Sequence, residues 1–185
     1  MELQEQKVES PVSAGLKSGV VLGAINIVAI VLIYLVDSAF LANIWLSLGI
    51  MVVNLILVVI IGIRYRKSVG GFLSFKAAYV NTLIMMLVSA FMGTIFNVLL
   101  YFVIDPDLKE VVIDASVKMS AEYMEKFGAS SEQIDKTIDE TRTNMEGQFT
   151  LFGFVKQFGM SSIFSVIFAL LTGLIVKKNE PIEDI

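Results

Sequence analysis

The fold class predicted is an all-α integral membrane protein, a four-helix transmembrane bundle with an extracytoplasmic amphipathic helical hairpin between the third and fourth helices. Three observations lead there. Hydrophobic residues make up 56% of the 185 residues and charged residues 17%, against about 25% charge in soluble domains, and the mean hydropathy is +0.77. Four apolar runs are long enough, at about 1.5 Å per helical residue, to cross the ~30 Å hydrocarbon core. Arg64, Arg66, Lys67 and Lys76 gather between the second and third runs, and a basic cluster beside apolar spans marks the cytoplasmic face. The whole chain, 1–185, reads as one membrane domain.

Composition also removes chemistry. There is no cysteine, so neither a disulfide framework nor a thiolate is available. There is no histidine, which takes away the commonest general base and transition-metal ligand. The expectation is a non-enzyme with no cofactor and no metal site.

In order along the chain, residues 1–13 carry Pro11 and no sustained apolar face, and read as a cytoplasmic tail. The run that follows is too long, and its start too acidic, for a cleaved signal peptide. The first span covers 16–36. Gly15, Gly19 and Gly23 recur at intervals of four, a strip that admits close approach by another helix or is a chance clustering in a glycine-containing run. Asp37, Ser38 and Asn43 form a link without basic residues, as an outer turn should. The second span, 44–63, carries Trp45 where an indole favours the headgroup boundary. Asn54 falls at a depth similar to that of Asn26 in the first span; the pair reads as interhelical hydrogen-bonding glue or as part of a polar path.

The basic connector spans 64–76 and the third span 77–104, which exceeds the bilayer core and must tilt, kink or emerge. Asn81, Ser89, Gly93 and Asn97 share one stripe of it, which should face sister helices. Asp105, Pro106 and Asp107 then open a new helix, with proline at its first position. Over 105–150 the apolar residues follow two helical faces, interrupted by Gly128 and restarted by a capping box at Ser130 and Gln133. Acidic residues outnumber basic ones there, which suits the outer side, and no calcium-loop spacing occurs among them.

The fourth span, 152–176, ends in Lys177 and Lys178, and 177–185 reads as a second cytoplasmic tail. Ser161, Ser165, Ala169 and Gly173 form another small-residue strip. Its inner end, Ala169 and Gly173, lies at the depth of Gly15, Gly19 and Gly23, so the expectation is that spans one and four pack together. Lys156 lies about one turn into this span and should snorkel outward.

Several of these stretches resemble a known family. The entry Ile63, Arg64, Tyr65, Arg66, the run Gly70, Gly71, Phe72, Leu73, Ser74, Phe75, and Asp105, Pro106, Asp107 resemble the small bacterial membrane proteins grouped as domain of unknown function 4199. The resemblance takes in the span plan from Leu16 to Lys178. It implies a four-helix inner-membrane protein with an extended segment before the last span, and brings no activity, cofactor or binding residue.

No phosphate loop or nucleophile elbow is present. No carboxylate lies in the middle of any span, which argues against proton-coupled transport. The expected partners are the lipid bilayer and a membrane or envelope protein or a second copy, with no nucleic acid, because the basic connector is short and adjoins the bilayer. The expected location is the inner membrane, with both termini cytoplasmic. Two functional readings follow: an interaction or structural component using its outer hairpin, or a small pore or transport-associated subunit lined by Asn26, Asn54, Asn81 and Asn97.

Overall fold

Residues 9–180 are described by the structure, a computed structural model; residues 1–8 and 181–185 of the expected tails lie outside the described residues. Six α-helices follow in order: α1 (Pro11–Val36), α2 (Ile44–Ser68), α3 (Phe75–Leu99), α4 (Leu108–Lys126), α5 (Ser131–Gln148) and α6 (Leu151–Val176). A short 3-10 helix, Ser38–Ala42, links α1 to α2, and a π-helical turn, Leu100–Ile104, extends α3. Four of these helices, counting α3 with its extension, are long and apolar enough to cross a membrane. Extended pairing among the described residues is confined to one antiparallel bridge, Leu73 with Lys178.

Local chemistry sets the boundaries, several of which differ from the expected ones. The first helix starts at Pro11, because Ser10 accepts the Ser13 amide at 3.2 Å and proline suits a first helical position. Residues 11–13, expected in the tail, are therefore helical. Next, α2 continues through Arg64, Arg66 and Lys67, cations that favour a helix C-terminus. It stops only where Gly70 and Gly71 take φ of 100° and 87° and the Gly71 amide reaches back to the Arg66 carbonyl at 2.9 Å. The loop expected over 64–76 shortens accordingly to residues 69–74. After Pro106, α4 begins two residues late, at Leu108, whose amide is accepted by the Asp105 carboxylate at 3.2 Å. It ends in a glycine cap: Gly128 has φ 75° and the Ala129 amide bonds the Met124 carbonyl at 3.0 Å. The capping box at Ser130 and Gln133 is present at the start of α5.

The chain forms two compact units. The first comprises Met1–Ile25, Val53–Met92 and Ser161–Ile185, with Leu22, Val58 and Met85 in one buried cluster and Ala14, Tyr65, Leu73, Ala78 and Val176 in another. Its helices meet through small residues. A Cβ built at Gly19 would lie 2.6 Å from the Val88 Cβ and 2.8 Å from the Met85 carbonyl oxygen, and one at Gly15 would lie 2.7 Å from the Asn81 carbonyl oxygen. At Gly23 the obstacle is Met92. All three glycines of α1 therefore face α3, not α6 as expected. Gly173 of α6 also faces α3, at Phe75 and Tyr79. A small-residue strip announces a close neighbour but not which helix supplies it.

The second unit comprises Asn26–Val52 and Gly93–Met160. Its core is aromatic: Leu100, Tyr101, Leu108, Val112 and Phe154 are buried, with Phe102 and Phe149 packed against them. The Tyr101 ring lies 4.7 Å from Phe149 and 6.1 Å from Phe154, centroid to centroid. Within this unit α4 packs on α5 and on the 3-10 helix.

No more than 28% of the most apolar stretch of any span is buried within the protein. Most of that surface therefore faces outward, as expected of helices bathed in lipid tails.

Candidate functional site

In the second unit a cleft of about 440 Å³ opens against the π-helical turn. The turn carries one residue more per hydrogen-bonded ring than an α-helix, closed here by the Asp105 amide on the Leu100 carbonyl at 2.9 Å. This wide turn faces Tyr101 into the aromatic core, where it lines the cleft with Ile33, Phe40, Val112, Phe149 and Phe154. Beside it the Asp105 carboxylate accepts the Tyr34 hydroxyl at 3.0 Å as well as the Leu108 amide, so one side chain joins α1, the end of α3 and the start of α4.

The polar groups of the cleft are few. Ser116 donates to the Val112 carbonyl at 2.7 Å and the Gln157 amide donates to the Gln148 carbonyl at 3.3 Å. Ser47, Asn97, Tyr101 and Gln148 also line it. No carboxylate, lysine or arginine does, and no group of three or more potential metal-ligating side chains occurs among the described residues. The walls suit an apolar guest or an apolar side chain held by one or two hydrogen bonds.

Helices α4 and α5 stand beside this cleft as an antiparallel pair. Arg142 of α5 donates to the carboxylates of Asp114 and, at 3.5 Å, Glu110 of α4. The bond to Asp114, with Glu110 and Glu146 nearby, pushes the guanidinium pKa still higher. Apart from this clasp, α5 has no buried residue; Met145 and the following Phe149 are only partly covered by the core. At the tip between the helices Phe127 is 88% exposed. Trp45, at the start of α2, donates its indole N–H to the Tyr123 hydroxyl at 2.7 Å, tying α4 to that helix.

The residues singled out from the sequence are dispersed. Gly15, Gly19, Gly23, Ser165, Ala169 and Gly173 all lie in the first unit, where Ala169 is fully buried and Ser165 donates to the Ser161 carbonyl at 2.8 Å. The four asparagines do not share a unit: Asn54 and Asn81 belong to the first, Asn26 and Asn97 to the second. Asn81 is 1% exposed, and its amide nitrogen donates to the Pro11 carbonyl at 3.3 Å. Asn26 and Asn54 each engage another residue. Of the basic residues, Arg66 has a structural role: its guanidinium donates to the Val176 carbonyl at 2.9 Å and satisfies the C-terminus of α6. Arg64, Lys67 and Lys76 are exposed.

Sequence reasoning missed Gly62, which lies against Val176, and the Tyr34–Asp105 link. It also passed over the aromatic core around Tyr101. Phe149 and Phe154 flank the start of α6 five residues apart, a spacing that no single helical face would unite, so only the break between α5 and α6 could have pointed to them.

No curated protein and no solved structure matches the chain. The family model described as protein of unknown function (DUF4199) matches residues 17–178, through all four candidate spans and the α4–α5 pair, and the chain belongs to that family.

Proposed function

We propose that this is a non-enzymatic, multi-pass inner-membrane protein that acts by interaction. In this reading the four spans anchor the chain with both termini in the cytoplasm, and the α4–α5 hairpin, on the other side, contacts a membrane or envelope protein or a second copy. The observation that carries it is α5 itself: an 18-residue helix with no buried residue, held by Arg142 and by its C-terminal edge. A helix that contributes so little to its own core leaves the face turned away from α4 for a partner, and Phe127 adds an exposed aromatic at the tip.

Charge supports the orientation. Lys17 near the start of α1, Arg64, Arg66 and Lys67 at the end of α2, Lys76 at the start of α3 and Lys177 and Lys178 after α6 occupy one end of each span in sequence. The other ends carry Asp37, Asp105 and Asp107, with Lys156 the cation near the start of α6. That asymmetry matches positive residues retained on the cytoplasmic side. Asn81, buried and bonded to Pro11, lines no open path.

A photocrosslinking side chain placed at Phe127 or Asp139, both exposed, in native membranes tests the reading. A discrete protein adduct, absent with the same probe at Val28 on the outward face of α1, is the expected result. Lipid adducts alone at both hairpin positions would overturn it.

A further inference from the structure

In the first unit, α1 and α2 leave a groove of about 360 Å³ between them, and its walls change character along its length. Lys17 and Arg64 stand toward one end with Ala14, Ser18 and Ser68, while Val21 and Ile61 continue it as an apolar channel. Cations thus sit where two antiparallel helices enter or leave an apolar layer, and hydrocarbon-facing side chains lie directly beyond them. Glu9 is the one carboxylate in the lining; it pairs with Lys17 at 2.8 Å and accepts the Ser13 hydroxyl at 3.0 Å. The Arg64 side chain has no hydrogen bond or ion pair among the described residues. Among the described residues, two cations against one carboxylate leave the groove a net positive charge.

The walls are fixed in place. Tyr65 is buried and donates its hydroxyl to the Glu9 carbonyl at 2.9 Å, which pins the start of the described chain across the groove. Ser68 donates to the Tyr65 carbonyl at 2.8 Å. Arg66, one residue from the groove, is occupied with the α6 terminus, so among the described residues Arg64 is the guanidinium left to take a phosphate by two parallel N–H donors.

We infer that this groove is a binding site for one anionic phospholipid. Its phosphate lies between Arg64 and Lys17, and an acyl chain runs down past Val21 and Ile61. The charge selects an anionic headgroup, and the apolar continuation selects a lipid over a free anion. This goes beyond the proposed function, because it holds whatever the hairpin binds.

Native mass spectrometry of the full chain in a neutral detergent tests it, with phosphatidylglycerol, phosphatidylcholine of the same acyl chains, or inorganic phosphate added. The expected result is one retained phosphatidylglycerol, favoured over phosphatidylcholine by at least about fivefold, roughly the worth of one cationic contact. Arg64→Gln should bring retention down to the phosphatidylcholine level. Val21→Trp, which blocks the apolar channel from an exposed position and keeps both charges, should do the same. Lys76→Gln, outside the groove, should leave retention unchanged, and Glu9→Gln should raise it by freeing Lys17. Equal retention of the two lipids, an equal loss with Lys76→Gln and Arg64→Gln, or retention of phosphate without preference for phosphatidylglycerol would each overturn the assignment.

Discussion

The two compact units solve the problem of holding apolar helices together in opposite ways. In the first, side chains are removed: glycine at 15, 19 and 23 lets the α1 backbone approach Asn81, Val88 and Met92 of α3. In the second, side chains are enlarged: Tyr101, Phe102, Phe149 and Phe154 fill the interior, and Gly49 and Gly93 have open space where a Cβ would go. Charge divides along the same line. Among the described residues the first unit has seven lysines and arginines, Lys17, Arg64, Arg66, Lys67, Lys76, Lys177 and Lys178, against Glu9 and Glu180, whereas carboxylates outnumber cations in the second. Lipid tails offer no hydrophobic drive between helices, so close backbone contact and aromatic packing are two substitutes for it. At these interhelical contacts the first is intolerant of added volume and the second of lost volume.

That contrast predicts opposite mutational signatures. Gly19→Leu has the largest expected effect, because the new Cβ meets a backbone carbonyl as well as Val88 and neither can swing aside. The cost should exceed the ~3 kcal/mol upper end of ordinary overpacking, and melting in detergent should fall sharply, while Gly93→Leu melts like the parent. Equal melting of Gly19→Leu and Gly93→Leu would erase the distinction. Phe154→Ala should come next, at about 3 kcal/mol for a buried aromatic, while Phe152→Ala, at a residue 76% exposed, should be nearly silent.

Asp105→Ala removes both the Leu108 cap and the Tyr34 bond and should cost about 1 kcal/mol. Its signature is faster amide exchange in the first turn of α4 with the first unit unchanged.

The smallest effect is a pH dependence at the start of α1. The hydrogen bond from Lys17, then that from Ser13, holds the Glu9 carboxyl below its ordinary pKa. The stabilising contribution is therefore complete above the usual carboxylate range, near pH 4.3, and disappears as pH falls through the lower folded value. Protection of the first α1 amides, corrected for the intrinsic pH dependence of exchange, should fall on that acidification, and Glu9→Gln should remove the fall.

Much of this plan was legible in the residues. Span number, the capping box at Ser130 and the stop at Gly128 depend on length and local chemistry, which a chain displays directly. The basic cluster was legible as charge and misleading as a boundary, because Arg66 and Lys67 end a helix as readily as they begin a loop. Partner choice was not legible: the strip at Gly15, Gly19 and Gly23 fits any helix with a smooth face, and only the fold places α3 there. The π-helical turn leaves no trace in LYFVI, an apolar run that would read identically as α-helix. The aromatic core and the cleft beside it depend on that turn.

One added residue between Leu100 and Ile104 also sets the rotational phase of everything after it. Deleting any single position in that stretch would restore an ordinary ladder while swinging the following chain by about 100° around the axis, carrying Asp105 off Tyr34. Such a shortened protein would insert and span as before yet present its acidic arm in a new direction, so insertion and presentation can be varied independently from this one place.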